Sequence, residues 1–196
     1  MANGKSMGNT EVEVKLRLAS AIAGHELLCR AGFTLLRGRV FEANVLYDTP
    51  SGRFRGAGQL LRLRQAGRLT LLTYKGPGMS ARHKVREELE VGLSEAAAFE
   101  QILLRLGLEP SFRYEKYRTE YQAPRGRGLA TVDETPIGDF MELEGPPDWI
   151  DSTARHLGFE ESDYITASYA QLYFDHLGGE AALPAAMVFG RQPAGS

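Results

Sequence analysis

Polar and apolar side chains alternate along several short stretches of the chain, and a period of two marks a strand with unlike faces. In Glu11-Val12-Glu13-Val14-Lys15-Leu16 the charges take the odd positions and the aliphatics the even ones. Leu61-Arg62-Leu63-Arg64, Arg86-Glu87-Glu88-Leu89-Glu90-Val91, Lys116-Tyr117-Arg118-Thr119-Glu120-Tyr121 and Met141-Glu142-Leu143-Glu144 repeat the scheme. The pattern predicts eight strands, at 10–18, 34–48, 59–66, 68–75, 84–92, 112–122, 128–134 and 138–145. Ala66-Gly67 and Pro124–Gly128 read as hairpin connections, so the pairing is expected to be antiparallel.

A period near 3.6 appears in four places. Ser94 offers a cap for a helix over 94–107, with Phe99, Ile102, Leu103 and Leu106 on one face and Gly107 as its stop. Pro147 opens a second over 147–158, carrying Ile150, Ala154 and Leu157. Ile165, Tyr169, Leu172, Tyr173 and His176 form a third stripe, and Ser20 and Gly32 bracket a fourth helix at 20–31. Segments 1–9 and 178–196 show no sustained period and read as loose tails around one domain at 10–177.

Composition narrows the classes. A chain of 196 residues suits a single domain with a real core. Lys and Arg number 23 against 25 Asp and Glu, a net charge of −2, which sets aside bulk attraction to nucleic acid or to an anionic membrane. The single cysteine, Cys29, excludes an intramolecular disulfide and a cysteine-rich metal site. No apolar run nears the ~18 residues of a membrane span, so a cytoplasmic protein is expected.

The strand faces carry the chemistry. Glu11, Glu13, Glu88, Glu90, Asp133, Glu142 and Glu144 share their faces with Lys15, Arg62, Arg64, Lys75, Arg86, Lys116 and Arg118. Alternation alone fits an open sheet with its charged face in water. The near absence of Ser, Thr and Gln from these faces favours the other arrangement, a barrel with the charges turned inward and helices over the apolar outside. Arginine suits planar recognition of phosphate, and clustered carboxylates suit a hard divalent cation. Together they describe a metal–polyphosphate ligand. No Gly-x-x-x-x-Gly-Lys-[Ser/Thr] loop is present. An unliganded lumen of this kind should crowd like charges and trade stability for function.

The chain resembles the CYTH superfamily of triphosphate tunnel metalloenzymes. Glu11-Val12-Glu13-Val14-Lys15 matches the E-x-E-x-K signature of that family. Tyr47-Asp48-Thr49-Pro50, Leu61–Arg64, Thr73–Pro77, Arg86–Glu90, Glu115–Arg118, Asp133 and Glu142-Leu143-Glu144 follow in the family's order. The resemblance implies an α+β fold: an eight-stranded antiparallel closed β-barrel, a triphosphate tunnel open at both ends, with flanking helices. It implies Mg²⁺ or Mn²⁺ on Glu11, Glu13, Asp133, Glu142 and Glu144. Lys15, Arg62, Arg64, Lys75, Arg86, Lys116 and Arg118 are then the triphosphate-binding bases, with Lys75, Glu13 and Lys15 carrying the chemical step. Glu88 and Glu90 stand among both sets, orienting bases or holding a second ion.

The family's activities include hydrolysis of thiamine triphosphate, tripolyphosphate or nucleoside triphosphates, and cyclisation of ATP to cyclic AMP and pyrophosphate. The chain lacks the His-Phe that precedes the signature in bacterial cyclases, showing Lys5–Thr10 there. It has Leu46 where thiamine triphosphatases pair a tyrosine with the lysine. Triphosphate hydrolysis is therefore the expected activity, with adenylyl cyclase and a non-catalytic polyphosphate-binding module as alternatives, and a homodimer left open. His25, His156 and His176 read as surface or helix-packing residues, and His83 as part of a solvated basic loop. Cys29 reads as a small core residue, and Tyr114, Tyr117 and Tyr121 as outward packing.

Overall fold

The computed structural model describes residues 9–80, 82–178 and 186–190. The strands are β1 (Asn9–Arg17), β2 (Thr34–Asp48), β3 (Leu60–Ala66), β4 (Leu69–Lys75), β5 (Met79–Ser80), β6 (Lys84–Leu93), β7 (Glu109–Gln122), β8 (Leu129–Thr135), β9 (Gly138–Glu144) and β10 (Ala186–Met187). The helices are α1 (Ala21–Arg30), α2 (Arg53–Gly56), α3 (Ala96–Arg105), α4 (Pro147–His156) and α5 (Tyr169–His176). Eight strands run β1-β9-β8-β7-β2-β3-β4-β6, every neighbour antiparallel, and β6 returns to pair with β1. The sheet is closed, and the eight predicted strands are its staves.

Local chemistry explains the joints. Ala66 pairs with Leu69 across a two-residue turn in which Gly67 takes φ +62°, a conformation open to glycine at no steric cost. The Ser20 hydroxyl accepts the Ala23 N–H at 3.2 Å and starts α1. The Ser168 hydroxyl does the same for Gln171 in α5.

Alternation sends Val14, Leu16, Ala130, Val132, Met141 and Leu143 outward, where they meet Leu28 of α1 and Ile150 and Ala154 of α4 in the main core. A Cβ on Gly24 would stand 2.6 Å from Leu18 Cδ1, so a larger residue there would make the Leu18 side chain shift where α1 meets the barrel. A second cluster gathers Phe112, Tyr114, Ile137, Phe140, Tyr169 and Met187 where α5 crosses one end of the barrel. The rings of Tyr114 and Phe140 meet there on Tyr169 of α5.

Several expectations shift. Glu95, without a side-chain capping bond, takes the N-cap of α3 instead of Ser94. Ile165 lies ahead of α5 and bridges β1, donating to the Lys15 carbonyl at 2.9 Å and accepting from the Lys15 amide at 3.0 Å. Part of the expected C-terminal tail is docked: β10 runs parallel to β7, Met187 is fully buried, and the Phe189 N–H donates to Glu115 at 3.0 Å. The segments at 1–8 and 191–196, with the departure at Lys5–Gly8, lie outside the described residues. Among the described residues no helix is long and apolar enough to cross a membrane.

Candidate functional site

The inward faces of the eight strands enclose a lumen of about 320 Å³. It is lined by Glu11, Glu13 and Lys15 of β1, Arg62 and Arg64 of β3 and Lys75 of β4. Arg86, Glu88 and Glu90 of β6, Lys116 and Arg118 of β7 and Glu142 and Glu144 of β9 complete the expected set on its wall. Asp133 of β8 lies behind that wall, fully buried. The structure thus brings together all fourteen residues singled out on the strand faces.

The signs interleave instead of crowding. Lys15 Nζ stands 3.3 Å from Glu13 and 3.2 Å from Glu142. Lys75 Nζ lies between Glu11 at 2.5 Å and Glu88 at 2.9 Å. Glu90 accepts from Thr73 Oγ1 at 2.9 Å and pairs with Arg64 at 3.2 Å. Glu88 and Glu90 are thus each paired with a base.

Burial and neighbours set the charge states. Burial pushes Glu11 up to about 7, with Glu13 and Glu88 adding to the rise and Lys75 opposing it. Burial also favours the neutral form of Glu13, but Lys15 leads the cations that hold it at about 2. Glu42 is likewise held at about 2, burial being overcome by Lys116, Arg118 and Arg64. Burial and the adjacent Lys15 bring Lys84 down to about 8.

These directions predict how the metal-free protein melts. Glu11 keeps a proton in the fold that it would lose on unfolding between its ordinary 4.5 and about 7, so its contribution grows as pH falls through that window. Glu13 and Glu42 work the other way, and their contribution disappears as pH falls from 4.5 towards 2. His83, held below its ordinary value chiefly by burial, removes part of the gain on the acid side. In a chelator, Tm should be higher near pH 5.5 than near pH 7.5 and collapse below about pH 4. Scanning fluorimetry across this range should find the neutral-side difference gone in Glu11→Gln; a flat wild-type profile would mean Glu11 is ionised in the fold.

Several lumen residues escaped the sequence reading. Lys84, 3.5 Å from Glu13, shares the parity of Arg86 and Glu88 and was findable on that signal. Glu42 pairs with Arg64 at 3.4 Å and Lys116 at 3.6 Å from a β2 face of low charge density. Tyr114 faces inward, its hydroxyl accepting from Arg62 at 3.3 Å, which corrects its expected outward packing. Tyr169 comes from α5 and lays its ring 5.4 Å from Lys15 Nζ and 5.3 Å from Lys116 Nζ.

Other candidates serve the fold. Asp48 accepts from the backbone N–H groups of Thr49, Phe54 and Arg55 at 2.7, 2.8 and 2.9 Å, tying α2 to β2. Cys29 is exposed and not part of the core. His83 is buried against Asp151 of α4 at 2.7 Å and is no solvated loop residue. His25 meets the Tyr121 hydroxyl at 2.9 Å, and His156 and His176 are exposed on their helices.

Two observations bear on ligands. The buried Nε atoms of Arg62, Arg64 and Arg86 have no hydrogen-bond partner. Among the described residues no three Asp, Glu, His or Cys side chains converge as a ready metal cage. The donors on β1 and β9 are all oxygens, however, and Glu13 is the register partner of Glu144. That set fits a hard divalent cation better than a soft one.

A second cavity, of about 390 Å³, opens beside α5 and shares Leu46, Leu60, Arg86, Ser168 and Ala170 with the lumen. Its other walls include Phe54, Phe112, Phe174, Gln59 and Ser111.

The CYTH domain model matches residues 9–169. A Methanocaldococcus jannaschii protein, named provisionally as an adenylate cyclase, is 26% identical over 171 residues, covering 83% of this chain and 97% of its own. A solved Pyrococcus horikoshii protein shares 26% identity at a TM-score of 0.72, over 85% of this chain and 99% of that one. A Vibrio parahaemolyticus crystal structure, also described provisionally as an adenylate cyclase, superposes with a TM-score of 0.73 at 21% identity, over 85% and 98%. At that identity the Vibrio likeness speaks for the shared fold.

Proposed function

The chain belongs to the CYTH domain family, and on that premise we propose that it is a Mg²⁺- or Mn²⁺-dependent phosphohydrolase of a triphosphate: tripolyphosphate, a nucleoside triphosphate or thiamine triphosphate. The observation that carries this reading is the convergence of seven bases, Lys15, Arg62, Arg64, Lys75, Arg86, Lys116 and Arg118, on one lumen. Guanidinium and ammonium groups brought from β1, β3, β4, β6 and β7 to one cavity suit a chain of phosphate oxygens.

Glu11, Glu13, Glu142 and Glu144 would hold the cation, which when bound neutralises charge on the phosphoryl oxygens. Arg62, Arg64, Arg86, Lys116 and Arg118 bind and orient the phosphates, and Lys15 and Lys75 offset the charge that develops on them. In hydrolysis a water oxygen bonds to the terminal phosphorus, the bond to the bridging oxygen breaks, and orthophosphate leaves with the shortened chain. The water's second proton passes to solvent.

The second cavity, with the name of the Methanocaldococcus relative, favours one alternative, an adenylyl cyclase. Its aromatic walls and few polar groups suit a heterocyclic base. There the ribose 3′-hydroxyl would attack the α-phosphorus of ATP and pyrophosphate would leave.

A substrate panel with Mg²⁺ or Mn²⁺ and separate phosphate, pyrophosphate and cyclic AMP readouts separates the readings. Phosphate release without cyclic AMP is expected; stoichiometric cyclic AMP and pyrophosphate from ATP would make the protein a cyclase. Saturable binding with no product would make it a binding module. Metal plus tripolyphosphate at 100 times Kd should stabilise the fold by about 2.7 kcal/mol. That is a Tm rise of roughly 5–10 °C.

A further inference from the structure

Asp133 is implied by family resemblance to bind metal, but its surroundings are unlike those of Glu11, Glu13 or Glu142. It is fully buried on β8, with Arg118 of β7 as its register partner. Its Oδ1 accepts from Arg118 Nε at 2.7 Å. Its Oδ2 accepts from Arg118 Nη2 at 2.6 Å, Lys116 Nζ at 2.8 Å and the Tyr169 hydroxyl at 2.7 Å. A carboxylate offers about two lone-pair sites on each oxygen; three donors crowd Oδ2, a fourth meets Oδ1, and no part of Asp133 is open to solvent. Ligation of so buried a carboxylate would have to open this cluster and part Asp133 from Arg118 or Lys116, leaving a buried base without its partner.

We propose that Asp133 is a positioning residue and not a metal ligand: it aims the Arg118 fork and the Lys116 ammonium at the phosphates and, through the Tyr169 hydroxyl, fixes both to α5. This rests on reading the lumen as a triphosphate site. Three elements meet at this one carboxylate. β7 supplies the two bases, β8 the acid, and α5 a hydroxyl that reaches it from outside the barrel. Arg118 Nη2 also reaches Glu142, so the aim of the guanidinium is set between β8 and β9.

The test uses the full chain with Asp133→Asn, Tyr169→Phe, Arg118→Lys and Glu13→Gln. Binding of Mn²⁺ alone is read by electron paramagnetic resonance, and binding of tripolyphosphate in chelator by calorimetry. Asp133→Asn should keep its Mn²⁺ affinity within about twofold, while Glu13→Gln loses at least about tenfold. Its kcat should fall at least about tenfold and stay low in excess Mn²⁺. On an Arg118→Lys background, Asp133→Asn should cost little further tripolyphosphate affinity, because the two act as one unit. Tyr169→Phe, which removes one donor and strands no charge, should lower kcat about two- to fivefold with Mn²⁺ affinity unchanged, and it carries the test if Asp133→Asn does not fold. A tenfold loss of Mn²⁺ affinity in Asp133→Asn, or rescue of its kcat by excess Mn²⁺, would make Asp133 a ligand. Unchanged kcat in Tyr169→Phe, or additivity with Arg118→Lys, would also overturn the positioning role. If the wild type binds no tripolyphosphate with or without Mn²⁺, the functional reading fails and takes this role with it.

Discussion

Glu13→Gln is expected to lower metal-dependent turnover by at least about 100-fold while the protein still folds. Glu13 is buried on the lumen face of β1, opposite Glu144 and beside Lys15 and Lys84. Glutamine keeps the shape and one acceptor but removes the charge a divalent cation needs. The same change leaves Lys84 without its 3.5 Å partner and Lys15 with Glu142 alone. A stability loss of about 1–3 kcal/mol should accompany the loss of activity. Phosphate release over a Mn²⁺ series, with melting curves of the metal-free variant, measures both. Retained turnover together with a large fall in Tm would make Glu13 an ion-pair residue of the fold and overturn its metal role.

Arg118→Ala should be the most damaging single change to the metal-free fold. The guanidinium makes two hydrogen bonds to Asp133 and contacts Glu142, and its removal leaves those two buried carboxylates with Lys116 and Lys15 as their remaining cations. Breaking a buried pair from one side costs about 3–5 kcal/mol. For a chain of this size that is a Tm drop on the order of 10 °C. Arg118→Lys keeps the charge, loses the fork and should recover most of that stability but little of the activity. Differential scanning calorimetry in chelator decides it: an unchanged Tm in Arg118→Ala would mean that water already reaches Asp133 and Glu142.

Much of this arrangement is legible before any coordinates, and the rest is not for definite reasons. The barrel staves follow from period two because each strand has one charged and one apolar face, as in Glu11–Leu16 and Leu61–Arg64. Helix α2 is too short at Arg53–Gly56 to show a period, and β10 carries no alternation at all. Tyr169 was legible as a helix residue but not as a lumen residue, because its path into the barrel depends on where Ile165 bridges β1. Alternation says which residues face inward but not how opposite signs pair. Lys15 between Glu13 and Glu142, and Lys75 between Glu11 and Glu88, turn an expected self-repelling lumen into an interleaved one. The same limit hid the difference between Glu142 and Asp133, both inward acids by parity but with different sets of donors around them.

Closure of the barrel through β1 has a consequence during synthesis. β1 pairs with Lys84–Glu88 on one edge and with Phe140–Glu144 on the other. At ribosomal rates of roughly 5–20 residues per second, Glu13 leaves the exit tunnel on the order of ten seconds before Glu144 follows. Both edges of the finished strand are open until Glu88 follows, and one edge stays open until Glu144 does, the geometry that invites pairing between polysomal neighbours. Glu11, Glu13 and Lys15 then act as gatekeepers, since a strand with charge at every second position is a poor template for another. Neutralising them together should reduce soluble yield in cells through aggregation of growing chains, a loss separate from any effect on the finished barrel.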